Sequence, residues 1–286
     1  MVLSMDYNEP VAKVNPRKYY TKLLTEYAHI VCGKTKRTPS KGDFLEIDPD
    51  SLLLSGDVKK EFERIVYRLR WPTHMAPDTL FHAQWLVSRI HKGLTEQDKD
   101  KIIHFLRYIN GRKDLPMLLG PNREGKMRLS IFSDASQSVA PWTSTCASTG
   151  RGVFSVHSHK QKEVQIASAH TELVAASESV AIGRHIQHVM ESRGVPESVW
   201  KPVDFYEDNM AVIHLMKNGR SINSKSKHIH IRYFFMKQYF DNGDFKMIHC
   251  PTAMMVADLN TKPLIGESFL YLRAVMLGYL YIYDYN

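Results

Sequence analysis

The sequence of 286 residues predicts an α/β fold, in which a mixed sheet is flanked by helices and preceded by a mainly helical region. Apolar side chains recur every three and four residues through the first part, which indicates amphipathic helices. The pattern then changes to alternating and apolar runs that are typical of strands. The stretch 116–126, rich in glycine and proline, is the best candidate linker. We therefore predict a helical region over 1–120, an α/β domain over 127–270 and a C-terminal tail over 271–286.

Periodicity and capping residues define the helices of the first region. The predicted helices span 19–31, 58–70, 79–91 and 96–110. Asp78 is placed to cap the third helix, and Thr95 with Asp98 three residues later has the spacing of a capping box for the fourth. Trp71-Pro72 and Gly111 follow helices at positions where such residues end them.

The second region alternates strands and helices. Strands are predicted at 128–133, 142–149, 153–159, 203–207 and 245–249, and helices at 169–193, 210–217, 230–240 and 253–261. Gly150-Arg151-Gly152 separates the second strand from the third and predicts a hairpin. This order, with three antiparallel strands followed by helix-linked strands, predicts one mixed sheet covered by helices.

Composition excludes several classes of protein. With 43% hydrophobic and 24% charged residues, the chain is neither disordered nor fibrous. The net charge of +8 favours a polyanionic partner such as a nucleic acid. Long apolar runs and a signal-like N-terminus are absent, so we predict an intracellular protein, cytoplasmic or nuclear, with no membrane partner. The three cysteines lack a Cys-x-x-Cys spacing, which indicates reduced thiols.

Four acidic residues occupy the ends of predicted elements. Asp134 ends the first strand, Glu172 lies in the first turn of the long helix, Asp208 follows the fourth strand and Asp258 lies in the last helix. Two carboxylates about 4 Å apart repel by roughly 4 kcal/mol at an effective dielectric constant of 20, so a cluster of four implies divalent cations such as Mg²⁺. Taken singly, Asp208 is also explained as a helix cap and Glu172 as a favourable charge at a helix N-terminus.

Five stretches around these acids also match, in order, the motifs of one family. They are Phe132-Ser133-Asp134-Ala135, then 158–162 leading to Ala167-Ser168-Ala169-His170-Thr171-Glu172-Leu173, Tyr206-Glu207-Asp208-Asn209, Ser226-Lys227-His228-Ile229 and Ala257-Asp258-Leu259-Asn260-Thr261-Lys262-Pro263-Leu264. In these stretches the sequence resembles the ribonuclease H domain of copia-type LTR-retrotransposon Pol polyproteins, and the last stretch is the most specific.

The resemblance extends upstream and covers roughly residues 15–270. Segments 22–39 and 67–114 are similar to the thumb or connection helices that follow the reverse-transcriptase palm, whereas the Tyr-x-Asp-Asp polymerase motif is absent. Three features depart from the family pattern. His170 stands where an additional acid is usual, the hairpin around Gly150 is shorter than usual, and a small residue, Ser136, follows Asp134-Ala135.

The resemblance implies an RNase H-like fold and two-metal hydrolysis of the RNA strand in RNA–DNA hybrids, with two Mg²⁺ ions or with Mn²⁺ in their place. It implies that Asp134 bridges both ions, that Glu172 and Asp208 complete one site, and that Asp258 completes the other. The products would carry 5′-phosphate and 3′-hydroxyl groups. The hybrid is the implied partner, and the remainder of the retroelement polymerase is a further one.

Accessory residues are predicted in the same part of the chain. His228, and as an alternative His249, is a candidate auxiliary histidine that moves protons, although base rates favour a helix-capping or core role for each. Lys225, Lys227 and Arg232 are candidates for contact with nucleic-acid phosphates.

Two other functions remain open at this stage. One is a catalytically inactive, retroelement-derived module that binds nucleic acid or another protein. The other is an integrase-like nuclease on the same fold, which the sequence context of Asp258 disfavours.

Overall fold

The computed structural model describes residues 2–6, 10–136, 141–161, 168–219 and 227–282. The helices are α1 (Arg17–Glu26), α2 (Ala28–Val31), α3 (Gly56–Arg70), α4 (Leu80–Ile90), α5 (Glu96–Arg112), α6 (Ser168–Ser192), α7 (Glu197–Trp200), α8 (Met210–Asn218), α9 (Lys227–Asp241) and α10 (Gly266–Met276). The strands are β1 (Val2–Asp6), β2 (Val11–Asn15), β3 (Met117–Leu119), β4 (Ser130–Ala135), β5 (Trp142–Ser148), β6 (Val153–Lys160), β7 (Val203–Glu207) and β8 (Phe245–His249).

The main sheet has the strand order β6-β5-β4-β7-β8. Strand β5 runs antiparallel to both β4 and β6, whereas β7 runs parallel to both β4 and β8. The predicted α/β class, a mixed five-stranded sheet flanked by helices, is therefore confirmed. Because β4, β7 and β8 are parallel, their carboxyl ends lie at one edge of the sheet, which is where open α/β sheets bind ligands.

Successive side chains along each strand point to opposite faces of this sheet, and both faces carry buried apolar residues. Ile131 and Phe205 pack with Leu173 and Val180 of α6 on one face. On the opposite face, the rings of Phe132 and Tyr206 stack with centroids 4.5 Å apart, in an apolar cluster that they share with the N-terminal region. Both faces are covered, so the polar groups of the sheet reach solvent mainly at its ends and edges.

The N-terminal region, residues 1–120, packs against the main sheet through aromatic side chains. Phe81 of α4 meets Trp142 of β5 edge to face, with ring centroids 5.2 Å apart. The predicted helices are found as α1 with α2, then α3, α4 and α5. The predicted capping box is also present, because the amide of Asp98 donates to the Thr95 hydroxyl and the amide of Thr95 donates to Asp98.

A second, smaller sheet was not predicted. Strands β1, β2 and β3 form an antiparallel sheet in that order. Its last strand follows α5, far along the chain from the hairpin that it joins. The mainly helical description of residues 1–120 is accurate for its helices and incomplete for these strands.

Asp78 does not cap a helix, contrary to the sequence-based prediction. Its side chain makes no capping hydrogen bond and is instead buried with Arg112, whose Nε lies 3.1 Å from Asp78 Oδ2. The two side chains are only 0% and 1% exposed, and the Tyr108 hydroxyl donates to the same carboxylate at 2.5 Å. This pair joins the start of α4 to the end of α5 inside the N-terminal core.

Three segments meet at Leu118: the β5–β6 hairpin, strand β3 and the residues after α10. The amide of Leu118 donates to the carbonyl of Leu277 at 2.8 Å, and Arg151 donates to the carbonyl of Gly278 at 2.7 Å. Gly152 and Gly278 both have positive φ, and a Cβ at either position would overlap the carbonyl oxygen of Leu118. Helix α10 runs across the predicted boundary at residue 270, and the division into domains stays a prediction.

We predict that Asp78→Asn lowers the free energy of unfolding by about 3–5 kcal/mol, because it leaves the Arg112 charge buried without a counter-ion. Urea denaturation would measure the change. Asp57→Asn removes the same charge from an exposed pair with Lys60 and is the matched control, with little effect expected. A loss at Asp78 no larger than that of the control would contradict the assigned role of the buried pair.

Candidate active site

Three of the four predicted acids converge at the carboxyl edge of the main sheet. Asp134 lies near the end of β4, Asp208 directly follows β7, and Glu172 lies in the N-terminal part of α6, which covers the sheet. One carboxylate oxygen from each lies within 4.8 Å of the others. Asp134 and Glu172 are buried, and Asp208 is half-buried. Acids from three separate parts of the chain thus form one cluster, the acidic triad.

Asp258 is connected to the acidic triad by the ammonium group of Lys262. It lies in a 3₁₀ helix, Val256–Asn260, which follows a second one, Thr252–Met254, so the helix predicted over 253–261 is found as two short 3₁₀ helices. Lys262 Nζ lies 2.7 Å from Asp258 Oδ1 and 3.5 Å from Asp134 Oδ1. The structure therefore places Asp258 beside the triad, with an ammonium group between it and Asp134.

Burial and mutual repulsion shift the titration of these acids. Burial, with the charges of Asp134 and Asp208, raises the pKa of Glu172 to about 9. Burial also raises the pKa of Asp258 to about 7, and the charge of Asp134 adds to this although Lys262 opposes it. The pKa of Asp208 is raised as well, chiefly by burial. A cluster whose pKa values rise in this way is one that a bound cation would stabilise.

The cluster is chemically suited to a divalent metal ion. Oε2 of Glu172 is buried and has no hydrogen-bond partner among the residues that the structure describes, so it is free to act as a ligand. Carboxylate oxygens are the ligands that Mg²⁺ prefers, and Mn²⁺ accepts the same set. Asp134, Glu172 and Asp208 are the residues that would hold such an ion.

Several residues of this site were missed by the sequence analysis. The Thr261 hydroxyl donates to Asp134 Oδ2, and the Thr252 hydroxyl donates to Asp208 Oδ2 at 2.9 Å. Glu207 is fully buried beside the triad, and burial, with the charge of Glu172, raises its pKa well above the ordinary value. Glu207, Thr261 and Lys262 lie inside the stretches that match the family motifs, so the resemblance could have identified them. Thr252 lies outside those stretches.

Lys262 keeps its charge in this setting. Burial lowers the pKa of its ammonium, but the neighbouring carboxylates of Asp134 and Asp258 outweigh that effect and hold the pKa above its usual range. The site therefore contains one fixed positive charge among its acids.

A cleft of 940 Å³ opens next to the triad. One wall carries the acids with Lys160, Asn209 and Thr252, and the opposite wall belongs to the N-terminal region. That second wall is formed by Leu45, Ile47, Trp85, Ser88, Arg89 and Lys92. The acids thus line a groove between the two regions, and no sequence motif marks the residues of the second wall.

The accessory residues are only partly described. Lys225 lies outside the described residues, and so do the side chains of Lys227 and His228, at the start of α9. Arg232 donates to the Ser177 hydroxyl at 2.9 Å and does not line the cleft. His249 ends β8 and is exposed. The roles assigned to these residues stay predictions.

Comparison with known proteins finds retrovirus-related Pol polyproteins among the relatives of this chain. The chain is 25% identical over 264 residues, 90% of its length, to the retrovirus-related Pol polyprotein from transposon RE1 of Arabidopsis thaliana. It is 26% identical to that from transposon RE2 of the same plant and 24% identical to that from transposon TNT 1-94 of Nicotiana tabacum, each over 90% of its length. The resemblance to copia-type Pol polyproteins is confirmed. No protein-family model matches the chain.

This chain spans only 17–19% of the length of these Pol polyproteins. Among solved structures, RNase H1 from Halobacterium salinarum aligns with 47% of this chain and 94% of its own, at 11% identity and a TM-score of 0.35. The foamy viral protease-reverse transcriptase in complex with RNA/DNA hybrid aligns with 73% of this chain and 26% of its own, at 11% identity and a TM-score of 0.34. What the described structure confirms is the α/β class, a mixed five-stranded sheet flanked by helices. None of the described helices has the length and hydropathy that crossing a bilayer requires.

We predict that, in the absence of divalent ions, the free energy of unfolding falls as the pH rises from about 5 to 9. Folded Glu172 retains its proton up to a pH of about 9, whereas the unfolded chain releases it near the ordinary pKa of 4.5, so rising pH favours unfolding across that window. Glu172→Gln should flatten the fall, by at most about 1.4 kcal/mol per pH unit.

Urea denaturation in a chelating buffer at several pH values would measure these slopes. Glu191→Gln makes the same chemical change at an exposed position of α6 and is the control. Equal slopes for the wild type and Glu172→Gln would show that Glu172 does not retain its proton.

Proposed function

We propose that this chain is the ribonuclease H part of a retrotransposon polyprotein and that it cleaves the RNA strand of RNA–DNA hybrids endonucleolytically. The observation that carries the proposal is the convergence of Asp134, Glu172 and Asp208 in the lining of a cleft, with a buried carboxylate oxygen left unpaired. Residues 127–270 would form the nuclease domain and 1–120 a connection-like region.

Divalent ions held by these acids would generate a hydroxide nucleophile from water and stabilise the leaving 3′ oxygen. Asp134, Glu172 and Asp208 would hold one such ion, and Asp134 with Asp258 would hold the other. The products would then carry 5′-phosphate and 3′-hydroxyl groups.

Neighbouring side chains hold the acids in place. Thr261 fixes one oxygen of Asp134, and Thr252 fixes one oxygen of Asp208. Such outer hydrogen bonds orient metal ligands and increase their affinity. Glu207 accepts a hydrogen bond from the amide of Asn209, and burial, with the charge of Glu172, raises its pKa well above the ordinary value. This shift favours the neutral form of Glu207, which adds no charge to the repulsion between the acids.

The walls of the cleft are suited to a nucleic acid. Lys160 extends from the edge strand β6 beside the acids, and Lys92 is exposed on the opposite wall. Contacts to phosphates position a nucleic acid without selecting its sequence. Together with the net charge of +8, two lysines on facing walls support a polyanionic substrate lying along the groove.

One contact favours a second function, that of a catalytically inactive nucleic-acid-binding module. Lys262 neutralises part of the charge of Asp134 and Asp258, and a site whose acids were fully satisfied by a lysine would have less need of metal ions. Measured cleavage separates the two functions, because binding is expected in both.

We predict that Asp134→Asn abolishes Mg²⁺-dependent cleavage of a labelled RNA–DNA hybrid. The loss should exceed the roughly 10- to 100-fold that removal of an outer hydrogen-bond partner causes. Gel analysis of a hybrid, a DNA duplex and single-stranded RNA, each with Mg²⁺ and with a chelator, would measure it.

Glu191→Gln on the surface of α6 controls for preparation and contaminating nucleases. Binding of the hybrid by Asp134→Asn, measured in parallel, controls for folding. A wild-type protein that binds hybrid but cleaves none of the substrates, with Mg²⁺ or with Mn²⁺, would refute the enzyme and support the inactive module.

We further predict that the double variant Lys92→Ala with Lys160→Ala binds hybrid more weakly and with a smaller salt dependence. Loss of two phosphate contacts should reduce the slope of log affinity against log salt by about 2. Fluorescence anisotropy at several salt concentrations would measure it. The control is the double variant Lys59→Ala with Lys60→Ala on α3, which removes the same charge away from the cleft. An equal loss of affinity in this control would show that only net charge matters.

A further inference from the structure

Lys262 occupies a defined position between two of the acids. Its Nζ lies within hydrogen-bond range of Oδ1 of both Asp258 and Asp134. Asp258 is only 5% exposed, so its charge has little compensation from water. The ammonium is therefore the main counter-charge that the chain itself supplies to this side of the site.

The same turn of the chain carries both the acid and its cation. The amide of Lys262 donates to the carbonyl of Asp258 at 3.1 Å, which closes the turn that brings the two side chains together. Thr261, between them, donates to the second oxygen of Asp134. Both oxygens of Asp134 are thus engaged by this turn, one with a hydroxyl and the other with an ammonium.

The acidic triad is different in this respect. Oε2 of Glu172 has no hydrogen-bond partner among the described residues, whereas Asp258 is paired. An ion at the triad can therefore use a free oxygen. An ion that joined Asp134 to Asp258 would have to take the position of the Lys262 ammonium. The side chain of Lys262 is 34% exposed, so it has a route to solvent by which it could leave.

We propose that the Lys262 ammonium takes the place of one of the two divalent ions. The free protein then binds a single ion, at Asp134, Glu172 and Asp208, and the position between Asp134 and Asp258 accepts an ion only when Lys262 is displaced. This inference rests on the proposed function, because it concerns the same acids, and it assigns Lys262 as a positioning residue that controls metal occupancy.

The test is the number of Mn²⁺ ions bound per chain in the absence of nucleic acid, measured by titration calorimetry and by the electron paramagnetic resonance of free Mn²⁺. Wild-type protein should bind one ion. Lys262→Met should bind two, with affinity for the second raised by about 10- to 100-fold, the range typical of changes next to metal ligands. Lys262→Arg keeps the charge and should bind one.

Lys160→Met is the matched control, because it removes a lysine from the same cleft and leaves Lys262 in place. It should bind one ion. The double variant of Lys262→Met with Asp258→Asn removes the charge pair together and should also bind one. Two ions on the wild type, or one ion on Lys262→Met, would overturn the proposal.

Lys262→Met leaves Asp258 buried without a counter-charge, so circular dichroism with and without Mn²⁺ accompanies the titration. If the variant is unfolded without metal, recovery of its circular dichroism at two Mn²⁺ per chain supports the proposal, and no recovery at concentrations that saturate the wild type overturns it. The readout is occupancy, so a protein that shows the change from one ion to two but cleaves no hybrid would refute the proposed nuclease and leave this inference standing.

Discussion

Electrostatic repulsion among buried carboxylates is the constraint on which the rest of this structure depends. The ends of β4 and β7 and the start of α6 bring like charges together at the edge of a sheet whose two faces are already covered. Burial removes the water that would otherwise screen them, so each charge raises the proton affinity of the next. Hydroxyl donors and the ammonium of Lys262 reduce this repulsion, but the unpaired oxygen of Glu172 remains.

The rigidity that holds the acids in register comes from packing outside the site. The stacked rings of Phe132 and Tyr206 lie on adjacent parallel strands, two residues before Asp134 and Asp208. The same face of the sheet continues into the core of the N-terminal region through Phe81 and Trp142. The shape of the cleft is therefore set by a core that both regions share. A change in the packing of α4 would move the wall that faces the acids.

Local sequence signals were sufficient for most elements and for the acids. The capping box at Thr95 and the strands of the main sheet were predicted because their patterns lie within a few residues of one another. The pairing of β3 with β2 was not predicted, because β3 lies about a hundred positions away and is only three residues long. Asp78 had the sequence position of a helix cap, but its carboxylate pairs with the buried Arg112 of α5 instead. The facing wall of the cleft depends on tertiary packing, which no motif records.

The short hairpin around Gly150 has a structural consequence of its own. Its turn lies against β3 and the residues after α10, where Gly152 and Gly278 leave just enough room for the backbone of Leu118. A longer loop would need the volume that the residues after α10 occupy. The length of this loop therefore constrains the path of the residues after α10. An insertion in the loop would require those residues to move.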